Sequence, residues 1–295
     1  MPLSHVFVAL LVVLIWGINF IFVKLGLDEI SPLLLCALRF LLASVPAILF
    51  IRPPKVQFRI IAAYGLIMFA LQFALLFLGM QVGMTPGMAS LLMQVQVFFS
   101  MFFASLLLGE HPSMGQVIGA LISFSGIGLV AMHFDAHVSF LGFLLIMAAA
   151  ATWGIGNLIT KQMKGSNQVA VIVWGSFIAC FPMFILALIF EGSGSFVATY
   201  EHISWKGAGA LAYIVYVSTW IGYGAWNWLV SRYPVGVVVP FTLLVPVVGI
   251  LGSIFILGEP FQLWKLVAGL LVISGLCINI ISSRLLAPKA HPEPA

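Results

Sequence analysis

Charged residues are scarce in this sequence, and their scarcity limits what the protein can be. The 295 residues include 12 lysines and arginines and 8 aspartates and glutamates, so that 7% of the chain is charged. A soluble globular domain carries roughly 25% charged residues. Hydrophobic residues make up 63% of the chain, and the mean hydropathy is +1.20. These values exclude an ordinary soluble domain and are typical of an integral membrane protein.

Cysteine and histidine are also rare, and neither forms a pattern typical of a cofactor or metal site. The three cysteines lie inside apolar runs, where we interpret them as small buried residues and not as a disulfide framework. His133 and His137 flank Asp135 at helical spacing, but histidines in loops are usually solvated, so we expect no metal and no cofactor. The sequence contains no Walker loop, dinucleotide fingerprint or nucleophile motif, which argues against an enzyme.

Long apolar runs dominate what is present. A helix needs about 20 mostly apolar residues to cross the roughly 30 Å hydrocarbon layer, where unpaired backbone groups are not tolerated. The sequence predicts an all-α integral membrane protein with about ten transmembrane helices, numbered here as the first to the tenth span: near residues 5–24, 33–51, 59–80, 87–108, 113–132, 138–160, 168–190, 207–231, 236–257 and 262–283. The proline-rich tail, residues 287–295, is predicted to be disordered and cytoplasmic.

Basic residues are distributed unevenly between the two sides of the predicted bundle. If the N-terminus is cytoplasmic, most of them fall in cytoplasmic loops: Arg52, Lys55, Arg59, Lys161, Lys164, Arg232, Arg284 and Lys289. The opposite side holds Lys24, Lys206 and Lys265. By the positive-inside rule, both termini are predicted to be cytoplasmic. The net charge of +4 follows from this bias and does not indicate binding to nucleic acid.

Two phrases occur twice in the chain. WGINFIFVK at residues 16–24 returns as WGIGNLITK at residues 153–161, and LGE at residues 108–110 returns near the end of the second half. The halves, residues 5–132 and 138–283, therefore begin and end alike. Because each half has an odd number of predicted spans, the second half enters the membrane from the opposite face. Such an inverted repeat of five helices is a recurring plan of transporters, with the substrate near the bilayer midplane.

These duplicated phrases resemble the EamA family of the drug/metabolite transporter superfamily, and the resemblance covers about residues 5–283. Further stretches carry it: residues 10–27, 38–50, 91–100, 221–233 and 243–250. They resemble a bacterial member of the family that exports O-acetylserine and cysteine-pathway metabolites. The resemblance implies a multi-pass transporter of the bacterial inner membrane that exports small amino-acid metabolites by alternating access.

Other functions stay open at this point. Members of the superfamily also move nucleotide sugars, drugs and other solutes, so another small solute is an alternative substrate. A membrane receptor or scaffold that transports nothing is a further alternative, which a flux measurement in liposomes would separate from a transporter. The expected partners are an amino-acid-like small molecule and the lipid bilayer, and the functional unit is a monomer or a homodimer.

A stripe of residues on the eighth span is the first candidate for a substrate site. Its members recur at steps of three and four: Tyr213, Tyr216, Trp220, Tyr223 and Asn227. That spacing places them on one face of a helix. Aromatic rings with polar groups suit a ligand that is part apolar and part hydrogen-bonding. The alternative is an interfacial aromatic belt, but a belt clusters at the membrane surfaces, whereas this stripe extends along most of a span.

Indole and amide side chains on other spans complete the predicted lining. They are Trp16 and Asn19 on the first span, Gln72 on the third, Trp153 and Asn157 on the sixth, and Trp174 on the seventh. On the fourth span, Gln94 and Gln96 cannot share a face, so we expect one to face the cavity and the other to pack on a neighbour. Each amide could alternatively cross-link two helices, a contact worth about 0.6 kcal/mol on average.

Arg39 is the charged residue predicted to lie deepest within a span. It lies about six residues into the second span, hence about 9 Å along the helix axis. An arginine there costs at least a few kcal/mol unless it is paired or hydrated, and no acidic residue in the spans can pair with it. We expect it to face a water-filled cavity and to bind the carboxylate of an amino-acid-like substrate. The alternative is a structural arginine bonded to carbonyls at a helix end or to Glu259.

Acidic residues are confined to loops, junctions and the tail. No carboxylate is therefore predicted at the membrane centre to carry a proton. Transport is expected to run down the solute gradient, to proceed by exchange, or to be coupled through Glu110 and Glu259 at the LGE junctions. These two glutamates could instead serve only as polar caps of the turns.

Overall fold

The computed structural model describes residues 1–109, 112–133, 139–163, 165–233 and 238–285. Over these residues the chain forms ten helical spans: Leu3–Leu27, Pro32–Leu49, Phe58–Gln81, Pro86–Leu108, Met114–Ala131, Phe140–Lys161, Gln168–Phe190, 205–232, 239–257 and Leu263–Leu285. An additional short helix, Gly192–His202, follows the seventh span. The predicted span limits agree with these to within about three residues. The tail, residues 287–295, lies outside the described residues.

Most of these helices can cross a membrane by themselves. Within the described residues, eight are long and apolar enough to do so. The ninth span contributes a shorter apolar helix, Phe241–Leu257. The eighth span is long, but its tyrosines, serine, threonine and glycines make it less apolar than the others, because these residues interrupt the run of aliphatic side chains.

The two halves use the same contacts with their roles exchanged. The first span packs against the eighth and ninth, and the sixth packs against the third and fourth. The second span packs along the seventh, the fourth against the ninth, and the fifth along the tenth. The contacts of the first span with the eighth and ninth thus correspond to those of the sixth with the third and fourth, and each of the other three pairs joins two equivalent helices. The chain is an all-helical membrane protein of two inverted five-helix repeats.

Small residues bring the fifth and tenth spans close together, as their spacing predicts. The face formed by Gly115, Gly119 and Ser123 is turned to the tenth span. A Cβ atom added to Gly119 would lie 2.5 Å from the carbonyl oxygen of Gly275, and one added to Gly115 would lie 2.3 Å from Oγ of Ser282. The main partner of each of these two spans is the other. They form a tight pair that we interpret as scaffold.

Candidate functional site

The third and eighth spans each change from α to π geometry near their middle. The π segments are Gly65–Leu71 in the third span and Tyr213–Gly222 in the eighth. These two spans are equivalent in the five-helix repeat, so the irregularity is duplicated along with the fold. π segments are rare and are frequent at functional sites. The sequence analysis did not predict them, because a single extra residue in a turn leaves no mark in an apolar stretch.

The fourth and ninth spans are also interrupted, and their interruptions meet. The fourth span consists of Pro86–Met93 and Gln96–Leu108, and the ninth begins with the 3-10 turn Val239–Leu244. Gln94, in the break of the fourth span, donates from Nε2 to the carbonyl oxygen of Thr242 at 3.4 Å. Discontinuous helices free backbone groups inside a membrane, and transporters place their substrates at such points.

Both glutamines bond to spans of the second half, Gln94 to the ninth and Gln96 to the sixth. Nδ2 of Asn157 donates to Oε1 of Gln96 at 2.7 Å and to Oγ of Ser100 at 2.9 Å. These two bonds join the sixth span, in the second half, to the fourth span, in the first half. Trp153, one turn before Asn157, is half-buried against the core. Both glutamines thus have a hydrogen-bond partner on another span, and Gln94 as the cavity-facing one stays a prediction.

Trp16 packs on the π segment of the eighth span. Its indole Nε1 donates to the carbonyl oxygen of Ser218 at 3.2 Å, and its ring centroid lies 5.2 Å from that of Tyr223 and 5.3 Å from that of Trp226. On the same span as Trp16, Asn19 is 8% exposed and its Oδ1 has no hydrogen-bond partner. The first and eighth spans therefore bring an aromatic cluster and a free acceptor into the same region of the bundle.

The predicted stripe on the eighth span is divided between two environments. Tyr213 stacks on Phe22 with ring centroids 3.8 Å apart and donates from its hydroxyl to the carbonyl oxygen of Ile15 at 3.0 Å. Tyr216 and Trp220, in contrast, are 50% and 37% exposed. The wider π turn moves residues at steps of three and four off a common face. The side chain of Asn227 lies outside the described part of the structure.

Two other predicted lining residues are enclosed by neighbouring helices. Gln72 is 1% exposed, and its Nε2 has no hydrogen-bond partner. Trp174 donates from its indole to the carbonyl oxygen of Ile51 at 2.9 Å, just beyond the end of the second span. That bond places Trp174 at one end of the contact between the second and seventh spans, away from the aromatic cluster on the eighth.

Arg39 is enclosed between the second, third and eighth spans. It is 2% exposed, and its guanidinium carbon lies 3.9 Å from the ring centroid of Phe73. Nη2 donates to Oγ1 of Thr219 at 3.3 Å. Among the described residues, Nε and Nη1 have no hydrogen-bond partner, and no carboxylate forms an ion pair with this guanidinium. Within that part of the chain its partners are thus neither helix-end carbonyls nor Glu259, and in this conformation it is closed off from solvent instead of facing an open cavity.

Two carboxylates join loops of one half to helix starts of the other. Glu191 accepts hydrogen bonds from the hydroxyl of Ser31 at 2.5 Å and from two backbone N–H groups at the start of the second span at 2.7 and 3.1 Å. Glu29 accepts from the hydroxyl and the backbone N–H of Ser204, before the eighth span, at 2.6 and 2.8 Å. The Ser204 bonds lower the pKa of Glu29 below its ordinary value of 4.5. Both glutamates lie in predicted loops, and the sequence alone indicates no role for them.

The LGE junctions are helix ends. Gly109 and Gly258 have φ angles of 67° and 69°, the left-handed conformation in which a glycine ends a helix without strain. Glu259 lies 3.9 Å, through Oε2, from Nζ of Lys265, a lysine that is 6% exposed at the start of the tenth span. Lys265 is a buried cation near the start of the predicted tenth span, residues 262–283, and the sequence alone did not indicate its burial. Glu110 lies outside the described residues.

The described residues offer no grouping of three or more histidine, cysteine or acidic side chains that could hold a metal ion. His133 stacks on Trp264 with ring centroids 4.7 Å apart. Asp135 and His137, its neighbours in the sequence, lie outside the described residues. The chemistry that the central region offers is therefore hydrogen bonding, aromatic contact and the positive charge of Arg39.

Known proteins share this sequence and architecture. The EamA-like transporter family matches residues 3–132 and 140–281, once in each half. A probable amino-acid metabolite efflux pump of Escherichia coli (strain K12) is 38% identical over 282 residues, which cover 94% of each chain. A protein of the same description from Salmonella typhimurium is 37% identical over 284 residues, covering 94% of this chain and 95% of that one. One crystal structure, 17% identical, covers 96% of this chain and 99% of its own with a TM-score of 0.63, a likeness of fold alone.

Proposed function

The chain belongs to the EamA-like transporter family, and from this we propose that it exports small amino-acid metabolites across the bacterial inner membrane by alternating access. The relatives described as probable amino-acid metabolite efflux pumps support both the substrate class and the direction of transport. The two halves, residues 5–132 and 138–283, are the two repeats, whose first four spans move around the fifth and tenth, and both termini are cytoplasmic.

The buried guanidinium of Arg39 is the observation that carries the substrate class. A cation enclosed in a membrane protein is costly unless it is paired, and two of its three nitrogens have no partner. An amino-acid metabolite brings the missing group, because its carboxylate can accept two parallel N–H bonds from one edge of a guanidinium. We therefore assign Arg39 to the carboxylate of the substrate.

The remaining lining follows from the irregular helices around Arg39. Side chains of the first, third, fourth and eighth spans supply polar groups and aromatic surface: Trp16, Asn19, Gln72, Gln94, Tyr216, Trp220, Tyr223 and Asn227. Trp153, Asn157 and Trp174 are the further members of the proposed set. Asn157 bonds to the fourth span and Trp174 to the loop after the second span in this conformation. Opening of the bundle is expected to exchange such bonds for bonds to substrate or water.

Flux in proteoliposomes tests this function directly. We expect purified wild-type protein to move labelled O-acetylserine and cysteine, and a comparison with and without an imposed pH gradient will show whether protons are coupled to transport. Arg39→Lys keeps the positive charge but loses the two parallel N–H donors of the guanidinium. We therefore expect it to raise KM about 10- to 100-fold, the effect of losing a charged hydrogen bond. Arg39→Ala should transport still less.

The control for these variants is Arg59→Lys, because Arg59 is exposed and bonds only to Gln57 among the described residues. It should transport as the wild type does. If folded Arg39→Lys and Arg39→Ala proteins both exported carboxylate-bearing metabolites with wild-type affinity and rate, the assignment of Arg39 would be wrong. Absence of flux of any amino-acid metabolite in the wild type would overturn the proposed function itself.

A further inference from the structure

Thr219 connects Arg39 to the π segment of the eighth span. It is 3% exposed, accepts a hydrogen bond from Nη2 of Arg39, and donates from its hydroxyl to the carbonyl oxygen of Ile214 at 2.9 Å. Ile214 lies five residues earlier in the chain. In an α-helix a threonine hydroxyl bonds to the carbonyl three or four residues earlier. Thr152 and Thr160 of the sixth span do this, so the reach of Thr219 is a feature of the wider π turn.

The same hydroxyl determines which edge of the guanidinium is open. A carboxylate binds bidentately either to the Nε and Nη2 edge or to the Nη1 and Nη2 edge, and both edges include Nη2. Nη2 carries two protons, of which one goes to Thr219. One edge of the guanidinium therefore keeps both of its N–H groups for a carboxylate, while the other edge has one N–H group bonded to Thr219. The ring of Phe73 beneath the guanidinium holds its plane.

The equivalent helix contact in the other half has no such connection. There the π segment of the third span packs on the seventh span, backbone against backbone: a Cβ atom added to Gly65 would lie 2.7 Å from the carbonyl oxygen of Gly175. In the repeat, Gly175 or Ser176 corresponds to Arg39. No charged side chain among the described residues intervenes at this contact. Of the two π segments, that of the eighth span is the one bonded to the proposed binding group.

We propose that Thr219 is the positioning residue of Arg39 and that the π segment of the eighth span is a register switch. In the π register Thr219 holds the guanidinium with one edge open to a carboxylate. In an α register its hydroxyl would bond to the carbonyl of Val215 and withdraw from Arg39. The site then has two affinities for the same substrate, which an alternating-access transporter needs in order to bind at one face and release at the other.

This inference rests on the proposed function, because it takes Arg39 as the carboxylate site. Binding to purified protein tests it, with O-acetylserine as the carboxylate ligand and its carboxamide analogue as a ligand that lacks the carboxylate. The Thr219→Val variant keeps the shape of the side chain but loses its hydroxyl. Isothermal titration calorimetry should show that its Kd for O-acetylserine is about tenfold higher than that of the wild type. Its Kd for the carboxamide should be unchanged.

Two matched variants complete the design. Thr219→Ser keeps the hydroxyl and should bind O-acetylserine with nearly wild-type affinity. Thr152→Val removes a threonine hydroxyl that bonds only to helix carbonyls and should leave both affinities unchanged. A Thr219→Val protein that retains the wild-type ratio of the two Kd values, or loses affinity for both ligands equally, would refute the positioning role.

The outcomes separate this inference from the proposed function. If Arg39→Lys removes the preference for the carboxylate and folded Thr219→Val does not, the function stands and the role of Thr219 is excluded. If neither Arg39→Lys nor Arg39→Ala alters the preference, the carboxylate site is itself wrong.

Hydrogen exchange of the wild-type protein provides a second measurement, which decides the matter if Thr219→Val does not fold. O-acetylserine should change the protection of the peptide covering residues 213–222 more than that of the peptide covering residues 65–71. Equal changes in both peptides, or none in either, would exclude the register switch.

Discussion

At the scale of single residues, the side chains of two glutamates tie the two halves together by hydrogen bonds. Glu29 belongs to the first half and bonds at the start of the eighth span, whereas Glu191 belongs to the second half and bonds at the start of the second span. A carboxylate is favoured there because free N–H groups and the positive end of the helix dipole face it. Both ties lie on the same side of the bundle. We expect them to separate when that side opens.

The tie at Glu29 should depend on pH. Its pKa is lowered from 4.5 in the folded protein by the bonds from Ser204. A lowered folded pKa means that the stabilisation is fully present above the unfolded value and is lost as pH falls through the folded value. The melting temperature of the wild type in detergent should therefore exceed that of Glu29→Gln near pH 6, and the difference should shrink below about pH 4.5.

Glu201→Gln is the control for this measurement, because Glu201 lies exposed in the helix Gly192–His202. Its melting curve should follow that of the wild type at each pH. A difference between wild type and Glu29→Gln that stays constant from about pH 6 to about pH 3 would contradict the charge-dependent role of Glu29.

At the scale of helices, the bundle combines regular pairs with irregular ones. The fifth and tenth spans are continuous and in close backbone contact, whereas the third, fourth, eighth and ninth contain π segments or breaks. A continuous helix resists bending because every carbonyl in its interior is hydrogen-bonded, and an irregular turn can change its bonding at lower cost. Movement is therefore expected in these irregular spans, around the pair that stays fixed.

The close contact between the fifth and tenth spans should be sensitive to one methyl group. In Gly119→Ala the new Cβ atom would lie 2.5 Å from the carbonyl oxygen of Gly275 and 3.0 Å from the backbone nitrogen of Asn279. Since both neighbours are backbone atoms, the helices have to separate. We expect a loss of about 1–3 kcal/mol in the free energy of unfolding, seen as a lower melting temperature by circular dichroism.

Gly128→Ala on the same helix is the matched control. No atom lies within 4 Å of a Cβ added at this glycine, so the substitution should leave the melting temperature unchanged or raise it slightly. Equal effects of the two substitutions would show that helix propensity, and not helix contact, determines the outcome.

At the scale of the whole molecule, the distribution of charge predicts how the bundle is oriented in the membrane. Basic residues collect on the side that holds the loops after the second and sixth spans, and the ties of Glu29 and Glu191 lie on the other side. The positive-inside rule then predicts that a C-terminal fluorescent protein, which matures only in the cytoplasm, will fluoresce. A periplasmic phosphatase inserted in the helix Gly192–His202 should be active. If the phosphatase there were inactive and the C-terminal fusion dark, the protein would have the opposite orientation in the membrane.

Several features of the architecture could be predicted from the sequence because they depend on neighbours along the chain. Hydropathy averaged over about 20 residues locates a span, and an odd number of spans in a repeat makes the repeat inverted. The LGE phrase predicted equivalent junctions, and Gly109 and Gly258 end equivalent helices. The sequence also indicated that Arg39 has no acidic partner within the spans, because the positions of the charged residues along the chain are enough for this inference.

What the tertiary structure alone decided concerns partners that are distant in the chain. Arg39 and Thr219 are 180 residues apart, Gln94 and Thr242 are 148 apart, and Ser31 and Glu191 are 160 apart. Helical periodicity describes which residues share a face, but it does not specify which other helix that face meets. It also assumes 3.6 residues in each turn, an assumption that fails in a π segment. For this reason the sequence by itself determined the spans, the repeat and the lone arginine, whereas only the packed bundle decided what that arginine contacts.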